Sequence, residues 1–247
     1  MILIRSLGRY LMLLWQGLTR PEKFSMYARE TFRQTHDIGI GSLPIIAIIS
    51  TFLGAVTAVQ FAKQFLDMTL PLPMSLIGYI VRDSLILELV PTIGSLMLAG
   101  KVGSNISSEL GSMRVTEQID ALEIMGVNTK AYLIMPKILG ALIIVPLLFA
   151  SAIILGMVGG FLAGYFGDFF SWEEYKSGLQ DSFTSYYMVI FLLKCYVFSF
   201  IVTSVSCYQG YYVKGGALEI GAASTRAVVN SSIMIIVTNF LIAFLFL

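Results

Sequence analysis

Four ionisable residues interrupt stretches that are otherwise apolar. Arg82, Asp83 and Glu88 lie in one run, and Lys194 lies in another. A charge surrounded by hydrocarbon costs several kcal/mol unless it faces water or a partner, so each is a candidate site residue by default. The chemistry open to them is ion pairing and the holding of a polar or charged guest. Patterns for bond-making chemistry are missing. No G-x-x-x-x-G-K-[ST] phosphate loop occurs; the nearest approach, Gly94 to Lys101, separates its glycines by five residues and has Val102 in place of the hydroxyl residue. One histidine, His36, cannot form a His-pair metal motif and makes a Ser-His triad untenable. Cys195 and Cys207 have no third sulfur or histidine nearby and read as buried free thiols. No catalytic residue and no metal site are expected.

The elements that carry these charges must sit in lipid. Of 247 residues, 57% are apolar and 13% charged, and the mean hydropathy is +0.82, more apolar surface than one soluble core could hide. About 20 residues make one crossing of a hydrocarbon core roughly 30 Å thick. The expected spans are 43–61, 76–99, 138–166, 186–207 and 227–247, giving an all-α integral membrane protein with about five transmembrane helices in one membrane domain. The net charge of +1 points to no nucleic acid.

Residues 2–20 differ from these spans. Arg5, Arg9, Gln16 and Arg20, spaced by four, seven and four, form one polar stripe, with Tyr10 and Trp15 at headgroup level and Pro21 as the stop. The pattern predicts an interfacial helix, with a sixth span as the alternative, followed by a polar connector over 22–37. Arg5 and Arg9 interrupt the apolar run and no small-residue cleavage site follows, so neither a removable signal nor a Ser/Arg-rich transit segment is expected. The 138–166 tract exceeds the hydrocarbon thickness, which implies tilt, a bend near Pro146, or two half-helices. Gly156, Gly160 and Gly164 recur every fourth residue and predict one bare face for close helix packing.

Basic residues set the expected orientation. Six precede the first span, four fall in 101–137 and two in 208–226, while the other side has only Lys63 and Lys176. Twelve against two places the N-terminus and those segments in the cytoplasm and the C-terminus outside. The outer loop 167–184 is acidic and aromatic and is expected on the membrane surface.

The cytoplasmic stretch 112–126, SMRVTEQIDALEIMG, reads as one short helix stopped by Gly126. Val115, Ile119, Leu122 and Met125 form an apolar stripe that can face the membrane domain. Met113 and Ile124 fall on the opposite side among Thr116, Glu117, Asp120 and Glu123. An apolar pair ringed by charges suits partner docking; a surface helix with two incidental apolar residues is an equal reading at this level.

The run ELVPTIGSLMLAGKVGSNISSELGSMRVTEQIDALEIMGV at 88–127 closely resembles the MlaE-type permeases of the MCE-associated ABC transporters. The likeness extends more loosely from about residue 35 to the C-terminus, including GGALEIGAASTRAVVNSS at 215–232. The resemblance implies a homodimeric permease with two cytoplasmic ATPase subunits and a substrate-binding MCE protein on the outer side. Such systems move phospholipids between the inner and outer membranes of Gram-negative bacteria. ATP and magnesium would then belong to the ATPase, with no cofactor in this chain. It also makes 112–126 a coupling helix, with Arg114, Glu117 and Asp120 as polar contacts and Met113 and Ile124 as apolar anchors. Two positions depart from the family pattern: Leu87 and Lys101 stand where many relatives carry arginine.

Glu88 lies about 12 residues from the outer end of its span and Lys194 about 9, depths of roughly 18 and 14 Å at 1.5 Å per residue. The two can therefore meet. They are expected to line a lipid cavity or its gate together with Leu87, with Arg82 and Asp83 nearer the outer mouth. A structural salt bridge is the alternative. Two other functions remain at this stage: an ion-coupled secondary transporter, which would show inverted repeats, and a non-transporting scaffold that docks partners through 112–126.

Overall fold

The computed structural model describes residues 2–18, 24–67 and 72–246, and all the regular structure in them is helical. The elements are α1 (Ile2–Leu18), α2 (Phe24–Leu66), α3 (Ser75–Val115), α4 (Gln118–Ile124), α5 (Thr129–Phe166), α6 (Trp172–Gln180), α7 (Ser185–Tyr211) and α8 (Ala217–Phe246). Five of them, α2, α3, α5, α7 and α8, are long and apolar enough to cross a membrane, the number expected. The chain is a multi-pass membrane protein. The expected stop at Pro21 and the side chains of Arg5 and Arg20 lie outside the described residues.

Three boundaries differ from expectation, each for a packing reason. The connector over 22–37 and the first span are one helix, because α2 runs unbroken through Pro44; membrane helices tolerate proline where neighbours absorb the lost hydrogen bond. The second span does not end at Ala99. α3 continues through Lys101 to Val115, its last turns burying Ile106, Ser107, Leu110 and Gly111 on one face. There a Cβ on Gly210 of α7 would come within 2.6 Å of the Ser107 carbonyl oxygen, so the polar tail of α3 is held by backbone-level packing. The 138–166 tract is a single helix that begins at Thr129, capped by the Asn128 side chain, and keeps both Pro136 and Pro146 inside it.

The α2–α5 pair is the main seam. A Cβ on Gly54 would fall 1.8 Å from the Gly156 carbonyl oxygen, and one on Gly159 would fall 2.1 Å from that of Thr51. No side chain fits between these backbones, the condition for close membrane-helix association. Gly160 faces the Tyr175 hydroxyl and Gly164 receives the Phe170 ring, so the glycine face serves α6 and its approach as well as α2. The 167–184 loop contains α6, opened by a Ser171–Glu174 capping box. Instead of lying free, α6 packs on the start of α3, with Tyr175 fully buried and its hydroxyl donating to the Met157 carbonyl at 3.0 Å. α1 lies across the α5 and α7 ends: Leu13 is buried, Tyr10 meets Ser204 at 2.7 Å, and Leu11, Met12 and Trp15 face outward.

Candidate functional site

Glu88 sits where α3 is widened into a π-helical stretch, Leu85–Ile93, with Pro91 inside it. Such stretches are frequent at functional sites. The carbonyl that Pro91 cannot serve in the α-helical register is that of Leu87, and Lys194 Nζ of α7 donates to it at 2.7 Å. The same ammonium lies 2.9 Å from Glu88 Oε2. On the other carboxylate oxygen, Asn239 Nδ2 of α8 donates at 2.6 Å and Thr92 Oγ1 at 3.1 Å. Three spanning helices thus converge on one carboxylate. The burial is unequal: the Lys194 side chain is 0% exposed and that of Glu88 is 49% exposed. A cation fixed in protein and a carboxylate open on one side can exchange part of the pairing for a polar guest. Leu87, expected at the cavity, contributes its carbonyl, while its side chain packs against the cluster of Ile190 and Phe198.

Arg82 and Asp83, expected nearer the outer mouth of the same cavity, make their contacts with one another and with the end of α6. Arg82 is 2% exposed. Its Nε donates to Asp83 at 2.8 Å, and its Nη1 donates to the carbonyls of Leu179 and Asp181 at 2.8 and 2.7 Å. The rings of Tyr79 and Phe183 lie 5.0 and 5.5 Å from the guanidinium. This pair fastens the end of α6 to α3.

The 112–126 segment is a hairpin of two helices, not one. α3 ends at Val115, Thr116 leaves helical geometry, and Glu117 takes a left-handed φ of 58° before α4 begins. α4 then stops as expected at Gly126, with φ of 83° and the Val127 N–H bonded to the Leu122 carbonyl. Arg114 bridges the turn to Asp120 at 2.6 Å. The break separates the two expected anchors. Met113 packs against the main core, whereas Ile124 is 87% exposed; its exposed apolar neighbour is Met125, at 69%. Of the expected apolar stripe, Ile119 is fully buried, Val115 and Leu122 are half-buried, and Met125 is exposed. Glu123 Oε1 accepts from the Tyr211 hydroxyl at 2.9 Å and from Thr129 at 3.0 Å. The hairpin is thereby bonded to the last residue of α7, the helix that carries Lys194.

Sequence reasoning missed Asn239, although an amide in the apolar stretch IIVTNFLIAF is itself a signal. It also missed the Tyr211–Glu123 link, which depends on a turn that no glycine announces.

Five helices long and apolar enough to span a membrane, a half-exposed ion pair between three of them and an exposed apolar hairpin tip fit a membrane subunit of the permease class. The family model "Permease MlaE" matches residues 31–245, and the chain belongs to that family of ABC-transporter permeases. It is 37% identical over 244 residues to a probable ABC transporter permease protein of Rickettsia bellii, covering 99% of this chain and 93% of that protein. It is 30% identical over 244 residues to the intermembrane phospholipid transport system permease protein MlaE of Haemophilus influenzae, covering 96% and 90%. It is 29% identical over 243 residues to Arabidopsis thaliana protein TRIGALACTOSYLDIACYLGLYCEROL 1, chloroplastic, covering 94% of this chain and 69% of that one.

Proposed function

We propose that this chain is the membrane subunit of an ABC transporter that carries phospholipid between the inner and outer membranes of a Gram-negative cell. It works as a homodimer in the inner membrane, with an MCE protein on the outer side. The observation that carries the reading is the Glu88–Lys194 pair: a headgroup can engage the open side of Glu88 while acyl chains lie on apolar helix faces. The bare flank of α8 beside Glu88, where Ile236, Phe240 and Phe244 are exposed, suits a second copy of the chain. The substrate class follows the Haemophilus relative's name, and the orientation follows the twelve-to-two distribution of basic residues. ATP and magnesium are bound by a separate cytoplasmic ATPase seated on the hairpin tip. Its movement reaches Lys194 through Glu123, Tyr211 and α7.

Gentle purification through a tag on this chain tests the reading. An ATPase and native phospholipid are expected to accompany it. Ile124→Asp with Met125→Asp is expected to release the ATPase while the membrane domain stays folded. Isolation of the tagged chain with neither companion contradicts the proposal.

A further inference from the structure

The pattern of an enclosed ammonium against a half-open carboxylate, seen at Glu88, occurs a second time on α3, nearer the hairpin. The Lys137 side chain of α5 is 3% exposed and that of Glu109 is 48% exposed, with Nζ 2.6 Å from Glu109 Oε2. The same ammonium donates to Gln34 Oε1 of α2 at 3.2 Å, and Gln34 Nε2 donates in turn to Glu30 at 2.9 Å. One lysine thus joins α2, α3 and α5.

The three helices are unequally held without it. α2 and α5 stay in close contact at this depth: a Cβ on Gly140 of α5 would fall 3.0 Å from the Thr35 nitrogen, and one on Gly39 of α2 would fall 2.7 Å from the Ile144 side chain. The tail of α3 belongs to another block. A Cβ on Gly103 would meet the Ser206 hydroxyl of α7 at 2.8 Å, one on Gly210 would meet the Ser107 carbonyl at 2.6 Å, and one on Gly111 would meet Ile220 of α8 at 3.4 Å. Ser224 of α8 donates to the Ser104 carbonyl at 3.2 Å. Over Ser104–Val115 the close backbone neighbours are α7 and α8, with next to none in α2 or α5.

Between the two blocks lie open spaces of about 340 and 180 Å³, both lined by Arg33 and Glu109. The Lys137–Glu109 bond crosses from one block to the other, as does the hydrogen bond from Lys101 to the Gly41 carbonyl. The blocks also meet beside the hairpin, where Thr129 of α5 and Tyr211 of α7 are 2.8 Å apart. Open space on one side and a joint on the other let the α3 tail swing without prising apart packed backbones.

We infer that Lys137 is a positioning residue of the transport cycle: its bond to Glu109 latches the α3 tail, and with it the hairpin, to the α2–α5 block, and opens and closes as the ATPase moves the hairpin. The inference rests on the reading of the hairpin as the ATPase seat. Glu109 suits the releasing side, because a half-exposed carboxylate can take up water, while the enclosed Lys137 keeps Gln34. Without the latch the hairpin moves and the α2–α5 block does not follow, so ATP is hydrolysed without lipid transfer.

The test measures phospholipid moved per ATP hydrolysed by the transporter isolated through this chain and returned to vesicles. Lys137→Met with Glu109→Gln removes both charges and leaves neither unpaired. Hydrolysis is expected to continue at the wild-type rate or faster, while transfer per ATP falls about tenfold, the equivalent of one lost charge-assisted hydrogen bond. A purely structural staple would lower the yield of folded transporter and leave that ratio at the wild-type value, a result that overturns the inference. A second arm leaves the pair intact. Asp37→Cys and Asn105→Cys, at positions lining the larger space from α2 and α3, are bridged with a short bismaleimide; Cys195 and Cys207 are buried. The bridging yield is expected to differ severalfold between nucleotide-free and nucleotide-trapped transporter, and the bridge is expected to stop transfer. Equal yields in the two states, or full transfer by the bridged protein, overturn the inference as well. ATP-driven transfer missing from the wild type would instead be a failure of the functional reading, so the two failures are told apart.

Discussion

Two ion pairs lie within seven residues of each other on α3 and do opposite things. In the Arg82–Asp83 pair the guanidinium is enclosed; Nε goes to Asp83 and Nη1 to two carbonyls at the end of α6, while Nη2 is buried without a partner. In the Glu88–Lys194 pair the ammonium is equally enclosed, yet the carboxylate is half open. Burial of the cation is common to both, so burial does not mark the functional pair. What separates them is the exposure of the anion: the Asp83 side chain is 13% exposed, that of Glu88 49% although both of its oxygens have donors.

The largest effect expected is on the closed pair. Arg82→Ala leaves two carbonyls and Asp83 without their donor, a loss on the order of 3–5 kcal/mol for breaking a buried ionic network. Recovery of folded protein from membranes should collapse; normal yield and melting temperature would mean that the clamp is dispensable. Lys194→Met comes next. It takes the cation from Glu88, leaving Asn239 and Thr92 as its donors, and should destabilise the assembled protein, but adding Glu88→Gln removes the unpaired charge and should restore stability to near the starting level. A double variant no more stable than the single one would put the two pairs in the same structural class.

A smaller effect is expected from Asn239→Leu, which removes one donor from Glu88 and leaves Lys194 in place. Interhelical hydrogen bonds in membranes average about 0.6 kcal/mol with a maximum near 1.7, so transfer should slow by about three- to twentyfold with little change in melting temperature. Full-rate transfer would restrict the site to two helices. The smallest effect concerns α6, the element the closed pair secures. The Ser171 N–H, and then its hydroxyl, hold the Glu174 carboxyl below its ordinary range. A lowered folded value means that the cap's contribution is present above the usual glutamate range, about 4.3, and is lost as pH falls through the lowered value. Ser171→Ala should weaken α6 by about 1 kcal/mol, read as lost hydrogen-exchange protection over 172–180 at neutral pH; unchanged protection would show that packing on α3 alone holds the helix.

Much of the open pair was readable in the sequence, because hydrocarbon leaves few reasons for an internal charge and helix rise converts spacing into depth. Glu88 and Lys194 were matched at roughly 18 and 14 Å on that basis alone. The glycine face of α5 was readable for a similar reason, since three small residues in register have one geometric use. What stayed hidden depended on three-dimensional context. Arg82 looks like Glu88 in the sequence, and only the position of α6 makes it a clamp. The polar tail of α3 falls outside the expected span because Lys101 and the polar run after it end the apolar stretch, and its buried face mixes Ser107 and Gly111 with Ile106 and Leu110. The hairpin turn has Glu117 in a left-handed conformation that glycine or asparagine would ordinarily announce, so 112–126 reads as one helix and pairs Ile124 with Met113 rather than with Met125.

The most direct measurement is phospholipid transfer between vesicles by the purified transporter carrying Glu88→Gln with Lys194→Met, compared with wild type at equal ATPase content and equal melting temperature. At least a tenfold loss of ATP-dependent transfer is expected, corresponding to the loss of about 1.4 kcal/mol or more of headgroup interaction. Wild-type transfer by that neutral pair would contradict the assignment of Glu88 and Lys194 to the transport path.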